Sequence, residues 1–236
     1  MTTISQRIDQ TIHDAADSNL SFASTLERLI DLELEARRQR SVERQVKQSK
    51  LQSPQSIDAF QFAFHKSRQQ AKARILKLLD LDFVRRGANV VLVGNPGTGK
   101  TMLAKILAFE ACQNNYRVLF TTAMDMLNQL LASQVDHSLV RKIKSYTDPA
   151  LLVVDELGYL ALDQNSSNLL YQVISARHAF KRSTVITTNT AFSEWGNILH
   201  NTTIATAIAD RLVENSEVFL FGGESYRKYL QQQSRS

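Results

Sequence analysis

The chain has 236 residues, 43 % of them hydrophobic and 8 % aromatic. That is enough for one α/β domain with a smaller appendage, and too apolar for global disorder. The formal net charge is +5; no apolar run approaches the roughly 20 residues of a membrane span, and the polar, acidic opening MTTISQRIDQTIHDAAD lacks the pattern of a signal peptide. A cytoplasmic protein without a membrane partner is expected, and the lone Cys112, on the apolar side of a predicted helix, reads as a buried structural thiol.

The periodicity predicts a helix over 20–50, with Phe22, Leu26, Leu29, Ile30 and Leu34 as its apolar stripe and Ser24 and Glu27 at capping-box spacing. Arg37, Arg38, Arg40, Arg44, Lys47 and Lys50 follow on the same helix. Residues 35–77 hold 11 basic against 3 acidic residues, a local excess that suits a polyanion such as DNA, or a solvated helical face. Pro54 in SPQSIDAFQFAF breaks the helix, and Phe60, Phe62 and Phe64 alternate as if to dock this linker on a neighbouring surface. A second basic helix is expected over 66–81, with Ala71, Ile75, Leu78 and Leu79 apolar. The division is a basic helical domain over 1–65 followed by a catalytic domain over 66–236.

From Asn89 onward the short runs NVVLV, RVLF, LLVVD, TVITT and EVFLF alternate with helical segments. Continuous apolar strands between helices predict a five-stranded parallel sheet covered on both faces. Gly94, Asn95, Pro96, Gly97, Thr98, Gly99, Lys100 and Thr101 match the P-loop pattern in full, after a strand and before a helix. Glycines let backbone N–H groups turn inward around phosphates, and the helix N-terminus adds positive potential. Lys100 is expected on the β- and γ-phosphates of ATP, Thr101 on Mg²⁺, and Met102 against the nucleotide. The run LLVVDE, 151–156, delivers Asp155 and Glu156 at a strand end, where open α/β sheets bind ligands. Asp155 suits the Mg²⁺ shell, and Glu156 suits polarising the attacking water. Asn189 is expected as a buried residue at the tip of TVITT, where it orients the water or sits in an ordinary turn. Thr121 and Thr122 either hydrogen-bond Glu156 or cap a helix.

The P-loop, DELGY (155–159), TVITTN (184–189), IADRL (208–212) and GGESYR (222–227) stand in this order. Together they resemble the IstB-like ATPases, helpers of a family of bacterial insertion-sequence transposons, and the related DnaC-type helicase loaders. The resemblance covers nearly the whole chain, including LERLIDLELEARRQRSVERQVKQSKL at the front; Thr188 stands where the family usually has Ser. It implies an AAA+ ATPase that forms an ATP-dependent homo-oligomer on double-stranded DNA and serves a transposase, or alternatively a replicative helicase; the sequence stops soon after Arg227, so the usual helical lid is expected to be missing. It implies Asn189 as sensor 1, Arg211 as an arginine finger acting in trans, and Arg227 as a second sensor. Arg177 is a further interface candidate or a surface helix arginine. An extra helix carrying Arg141, Lys142 and Lys144 is expected to join Arg37, Arg38, Arg40 and Arg44 in contacting DNA phosphates. A slow nucleotide-switched scaffold is a third reading, against which the intact Glu156 argues.

Overall fold

A computed structural model describes residues 3–159, 161–226 and 228. The chain divides into two compact units, Met1–Gln45 and Val46–Ser236. The first contains α1 (Thr3–Asp17) and most of α2 (Phe22–Gln48). Thr11, Ala15, Leu29 and Glu33 are buried here. The Ser21 hydroxyl accepts the Ser24 N–H at 3.2 Å, so α2 is capped three residues before the start that the Ser24–Glu27 spacing suggests. Of the expected apolar stripe only Leu29 is buried; Phe22, Leu26, Ile30 and Leu34 are exposed.

The second unit begins in the last turn of α2 and takes in the linker before α3 (Lys66–Leu78). Leu51 and Phe60 of this linker belong to the main core. The Phe120 N–H donates to the Ser49 carbonyl at 2.8 Å. Phe60, Phe62 and Phe64 do not alternate as on a strand: the linker forms single 3₁₀ turns at Ile57–Ala59 and Phe62–Phe64. The Phe60 and Phe62 rings meet edge to face at 5.0 Å.

After the short α4 (Asp82–Arg85) the chain alternates strand and helix. It runs β1 (Asn89–Gly94), α5 (Lys100–Gln113), β2 (Val118–Thr122), α6 (Ala123–Val135) and α7 (Leu139–Thr147). It continues through β3 (Leu151–Leu157), α8 (Gln164–Ala179), β4 (Ser183–Thr188), α9 (Trp195–Ile198), α10 (Thr202–Val213) and β5 (Ser216–Phe221). All strand pairs are parallel, in the order β2-β3-β4-β1-β5.

Side chains alternate across a strand, so the sheet builds two cores. Val90, Leu92, Val153 and Val185 face Ile75, Leu103 and Leu107 of α3 and α5. Leu152, Val154 and Ile186 face Met126, Leu170, Val173 and Ile208 of α6, α8 and α10. Burial on both faces explains why the strands read as unbroken apolar runs. The strand order matters for function. The P-loop follows β1 and the acidic pair ends β3, and β4 lies between those two strands. The end of β4 is therefore forced into the space between phosphate loop and carboxylates.

Candidate nucleotide site

The P-loop closes on itself through defined hydrogen bonds. The Thr98 hydroxyl donates to the Asn95 carbonyl at 2.7 Å. The Lys100 ammonium lies under the loop and donates to the carbonyls of Gly94 at 2.6 Å and Asn95 at 2.9 Å. Gly97 and Gly99 have φ of +80° and +96°, a region that L side chains enter only with strain. A Cβ on Gly97 would collide with the Ser225 hydroxyl. The segment 222–226 packs over the loop, with the Tyr226 N–H donating to the Gly97 carbonyl at 3.0 Å.

Opposite the loop, Asp155 is buried at the end of β3. Its Oδ1 accepts from the Thr101 hydroxyl at 3.0 Å and from the Thr187 hydroxyl. The Thr187 oxygen in turn accepts the Glu156 N–H at 2.9 Å. Glu156 itself has φ +62° and sits in a register shift between Val154 and Leu157. That left-handed turn costs energy for a non-glycine residue. Its consequence is an exposed Glu156 beside a buried Asp155, two adjacent carboxylates with different surroundings.

Between the loop and Glu156 lies a cleft of about 410 Å³, within the size range of small-molecule sites. Lys100, Thr101, Met102, Glu156, Thr187 and Tyr226 contribute to its wall, together with the linker residues Gln55 and Gln61. The sequence alone does not single out Thr187, because its strand reads as an ordinary β-branched run. The strand order supplies the missing information: β4 lies between the two motifs.

Other expected residues stand elsewhere. Asn189 is exposed and not buried, since β4 ends at the fully buried Thr188 and the next residue turns outward. Its side-chain carbonyl accepts from the Thr190 hydroxyl at 3.0 Å. Arg211 lies in the last turn of α10, over the Tyr171 ring at 5.0 Å, and donates to the Ala207 carbonyl at 2.8 Å. Asn89 of β1 donates to the Arg211 and Leu212 carbonyls at 3.3 and 3.2 Å, tying the end of that helix to the sheet. Arg227 lies outside the described residues. The Thr122 hydroxyl caps α6 by accepting the Asp125 N–H at 3.0 Å, and the Thr121 hydroxyl donates to the Thr122 carbonyl at 3.1 Å; neither engages Glu156.

Arg177 is not a surface residue: it is 1 % exposed, with its guanidinium committed within its own chain. Its guanidinium donates to the carbonyls of Tyr146 at 2.8 Å and Pro149 at 2.9 Å, and to that of Ser183. Burial pushes its pKa down to about 9, with Arg182 adding to the shift, which leaves it charged at neutral pH. It ties the end of α7 to the starts of β3 and β4.

Arg141 and Lys144 are exposed on α7, and Lys142 is half-buried with its ammonium 3.4 Å from Gln129 Oε1. The opposite face of the helix buries Tyr146 and Thr147. Arg37, Arg38, Arg40 and Arg44 are exposed on α2. Two of them also pair with the buried Glu33, Arg37 at 2.9 Å and Arg40 at 3.4 Å. Cys112 is buried, and burial raises its thiol pKa, consistent with an inert structural side chain. Among the described residues no helix is long and apolar enough to cross a membrane, and no His, Cys, Asp and Glu cluster has the arrangement of a metal cage.

A family model for IstB-like ATP binding proteins matches residues 1–236. The ATP-binding protein of insertion sequence IS5376 from Geobacillus stearothermophilus is 38 % identical over 224 residues, covering 94 % of this chain and 88 % of that protein. That of insertion sequence IS232 from Bacillus thuringiensis subsp. berliner is 32 % identical, covering 95 % and 88 %. Among solved structures, the DnaC helicase loader superposes with a TM-score of 0.61 at 21 % identity, over 70 % of this chain and 95 % of that one. A replication initiator DnaA, bound in its structure to AMPPCP and single-stranded DNA, superposes with a TM-score of 0.63 at 13 % identity, over 79 % and 56 %. At such identities these two speak for the fold, which is the AAA+ P-loop fold. The chain belongs to the IstB-like ATP binding proteins, and it is an AAA+ P-loop ATPase.

Proposed function

We propose that the chain hydrolyses ATP in this cleft, assembles on double-stranded DNA when ATP is bound, and assists a transposase in target selection. The observation that carries the chemistry is the hydrogen-bonded chain from Thr101 through Asp155 and Thr187 to the Glu156 N–H, which joins the phosphate loop to the candidate base. Lys100 holds the β- and γ-phosphates as a point charge. The Thr101 hydroxyl and Asp155 carboxylate, 3.0 Å apart, form an oxygen pair of the kind that holds Mg²⁺ together with substrate phosphates. Mg²⁺ held by these two oxygens would offset charge on the phosphate oxygens. The Glu156 carboxylate orients a water and takes its proton as the water oxygen attacks the γ-phosphorus; ADP leaves. Asn189 follows the end of β4 and lies outside the cleft lining; its assignment as sensor 1 rests on the family resemblance and requires its side chain to turn toward the γ-phosphate when ATP binds. Arg211, on α10 and outside the cleft lining of its own chain, acts on the site of a neighbouring copy. Arg227, outside the described residues, is the second-sensor candidate by family resemblance alone.

The insertion-sequence relatives support the transposition role, and the exposed cations of α2 and α7 support a phosphate-tracking contact with DNA. Helix packing leaves Arg141 and Lys144 in solvent, so they meet a polyanion without burying a charge. A replicative helicase as the partner is the alternative, and a stronger response to single strands than to duplex would favour it. The test is fluorescence anisotropy with a labelled duplex over a salt series, with and without a non-hydrolysable ATP analogue. Affinity should fall steeply with salt and rise with the analogue, because aligned copies bind one duplex with avidity. Affinity indifferent to both would remove the DNA assignment.

A further inference from the structure

We infer that Arg68 is a positioning residue of the phosphate cradle, acting through the peptide that joins Thr98 to Gly99. The inference deepens the P-loop reading above and rests on it.

By sequence, Arg68 is one basic residue among several on α3, and its neighbours Lys66 and Arg74 lie exposed. Arg68 does not: it is 2 % exposed. A buried cation needs partners, and among the described residues none of them is a carboxylate. Its Nε donates to the Thr98 carbonyl at 2.9 Å, and its Nη2 donates to the same oxygen. Its Nη1 donates to the Gln61 carbonyl at 3.0 Å. The guanidinium lies 4.7 Å from the Phe60 ring centre and 5.8 Å from that of Tyr226. Burial lowers its pKa, and the neighbouring Tyr226 acts in the opposite direction.

Two N–H groups on one carbonyl fix the orientation of a peptide plane. The bond from Thr98 to Gly99 is trans, as are all described peptide bonds. In a trans peptide the C=O and N–H point in opposite directions. Arg68 pulls the Thr98 oxygen toward α3, so the Gly99 N–H faces away from it, as the donors of a phosphate nest do. The cation also polarises that peptide and strengthens its N–H as a donor. Gly99 shows the same constraint from the other side: a Cβ there would strike Arg68 Nη2 and approach the Phe60 ring to 3.2 Å. The third P-loop glycine therefore answers to the close approach of an arginine as well as to its own φ.

Arg68 lines the same cleft as Gln55 and Gln61, so a contact with the nucleobase is the rival role. Tripolyphosphate, which carries no base, separates the two. The experiment is displacement of a fluorescent ATP analogue by ATP and by tripolyphosphate from wild-type, Arg68→Met, Arg68→Lys and Lys100→Ala proteins, with thermal unfolding of each in the absence of ligand. Arg68→Met should weaken both competitors by about tenfold, the size of one charge-assisted hydrogen bond. Arg68→Lys keeps the charge but loses the planar fork that sets two donors on the Thr98 carbonyl while a third reaches Gln61; it should weaken both by a smaller factor, and it carries the test if Arg68→Met does not fold. Weaker ATP with unchanged tripolyphosphate in either variant would assign Arg68 to the base instead. Unchanged affinities with only a lower melting temperature would make it a structural brace and overturn the inference. If wild-type and Lys100→Ala proteins respond alike to tripolyphosphate, the phosphate reading itself fails, whatever Arg68 does.

Discussion

The cations at the nucleotide cleft and the cations on the helices meet different physical demands. Lys100 is buried, with its ammonium held by the Gly94 and Asn95 carbonyls. Arg68 is buried against Thr98 and Gln61. Arg38, Arg44, Arg141 and Lys144 stand in solvent. A buried charge has one geometry and one task, and removing it leaves fixed partners unsatisfied. An exposed charge keeps its hydration and acts with its neighbours as a field. Single substitutions should therefore act as switches at the cleft and as gradations on the helices.

The largest expected effect is at Lys100. Lys100→Ala should lower ATP affinity by about a hundredfold or more, the scale of losing a fully desolvated charge interaction, as read by displacement of a fluorescent analogue. Near-normal affinity would break the distinction at its strongest point. Next comes Arg211. Arg211→Ala should leave ATP binding intact while lowering turnover of the assembled protein by about a thousandfold, the lower end for a trans arginine. Mixing it with Lys100→Ala protein should restore part of the activity, because some interfaces then hold one intact composite site. No recovery, with mixed oligomers demonstrated, would count against a trans role.

Thr187 ranks third. Thr187→Val removes the hydroxyl that links Asp155 to the Glu156 N–H. It should cost on the order of 1–3 kcal/mol of stability, the desolvation penalty of groups left unpaired. Turnover should fall by about tenfold, with ATP affinity little changed. Steady-state kinetics beside a denaturant titration separates the two effects. The smallest effect per residue is expected on α7. Neutralising Arg141, Lys142 and Lys144 together should weaken DNA binding across unrelated sequences and reduce the salt slope by about one for each phosphate no longer neutralised. Stability should stay within about 0.5 kcal/mol, as for other surface changes.

What the sequence makes legible follows the same division. The five strands stand where their apolar runs place them, since a sheet buried on both faces demands such runs. The P-loop and the Asp155–Glu156 strand end are local patterns, and they face each other as their motifs imply. Thr187 and Arg68 are not legible, because their roles come from neighbours distant in sequence. Thr187 gains its place from the position of β4 between β1 and β3. Arg68 looks like any other cation of a basic helix until the 3₁₀ linker folds Phe60 beneath it. Arg177 looks like an interface or surface residue for the same reason: the carbonyls it ties together belong to a turn at 146–150 and to Ser183. Asn189 looks buried because it directly follows an apolar strand, but β4 ends one residue earlier and the chain turns outward there.

The proposed chemistry depends most directly on Glu156, the exposed acid whose left-handed backbone sets it beside the buried Asp155. The measurement is ATP affinity alongside single-turnover hydrolysis for wild-type and Glu156→Gln proteins on duplex DNA. The amide keeps the shape of the side chain but cannot take up the proton from water. Affinity should match wild type within about twofold while hydrolysis falls by about a hundredfold or more, within the range for loss of a general base. Hydrolysis at the wild-type rate would contradict the assignment of Glu156 as the base and, with it, the proposed chemistry of the cleft.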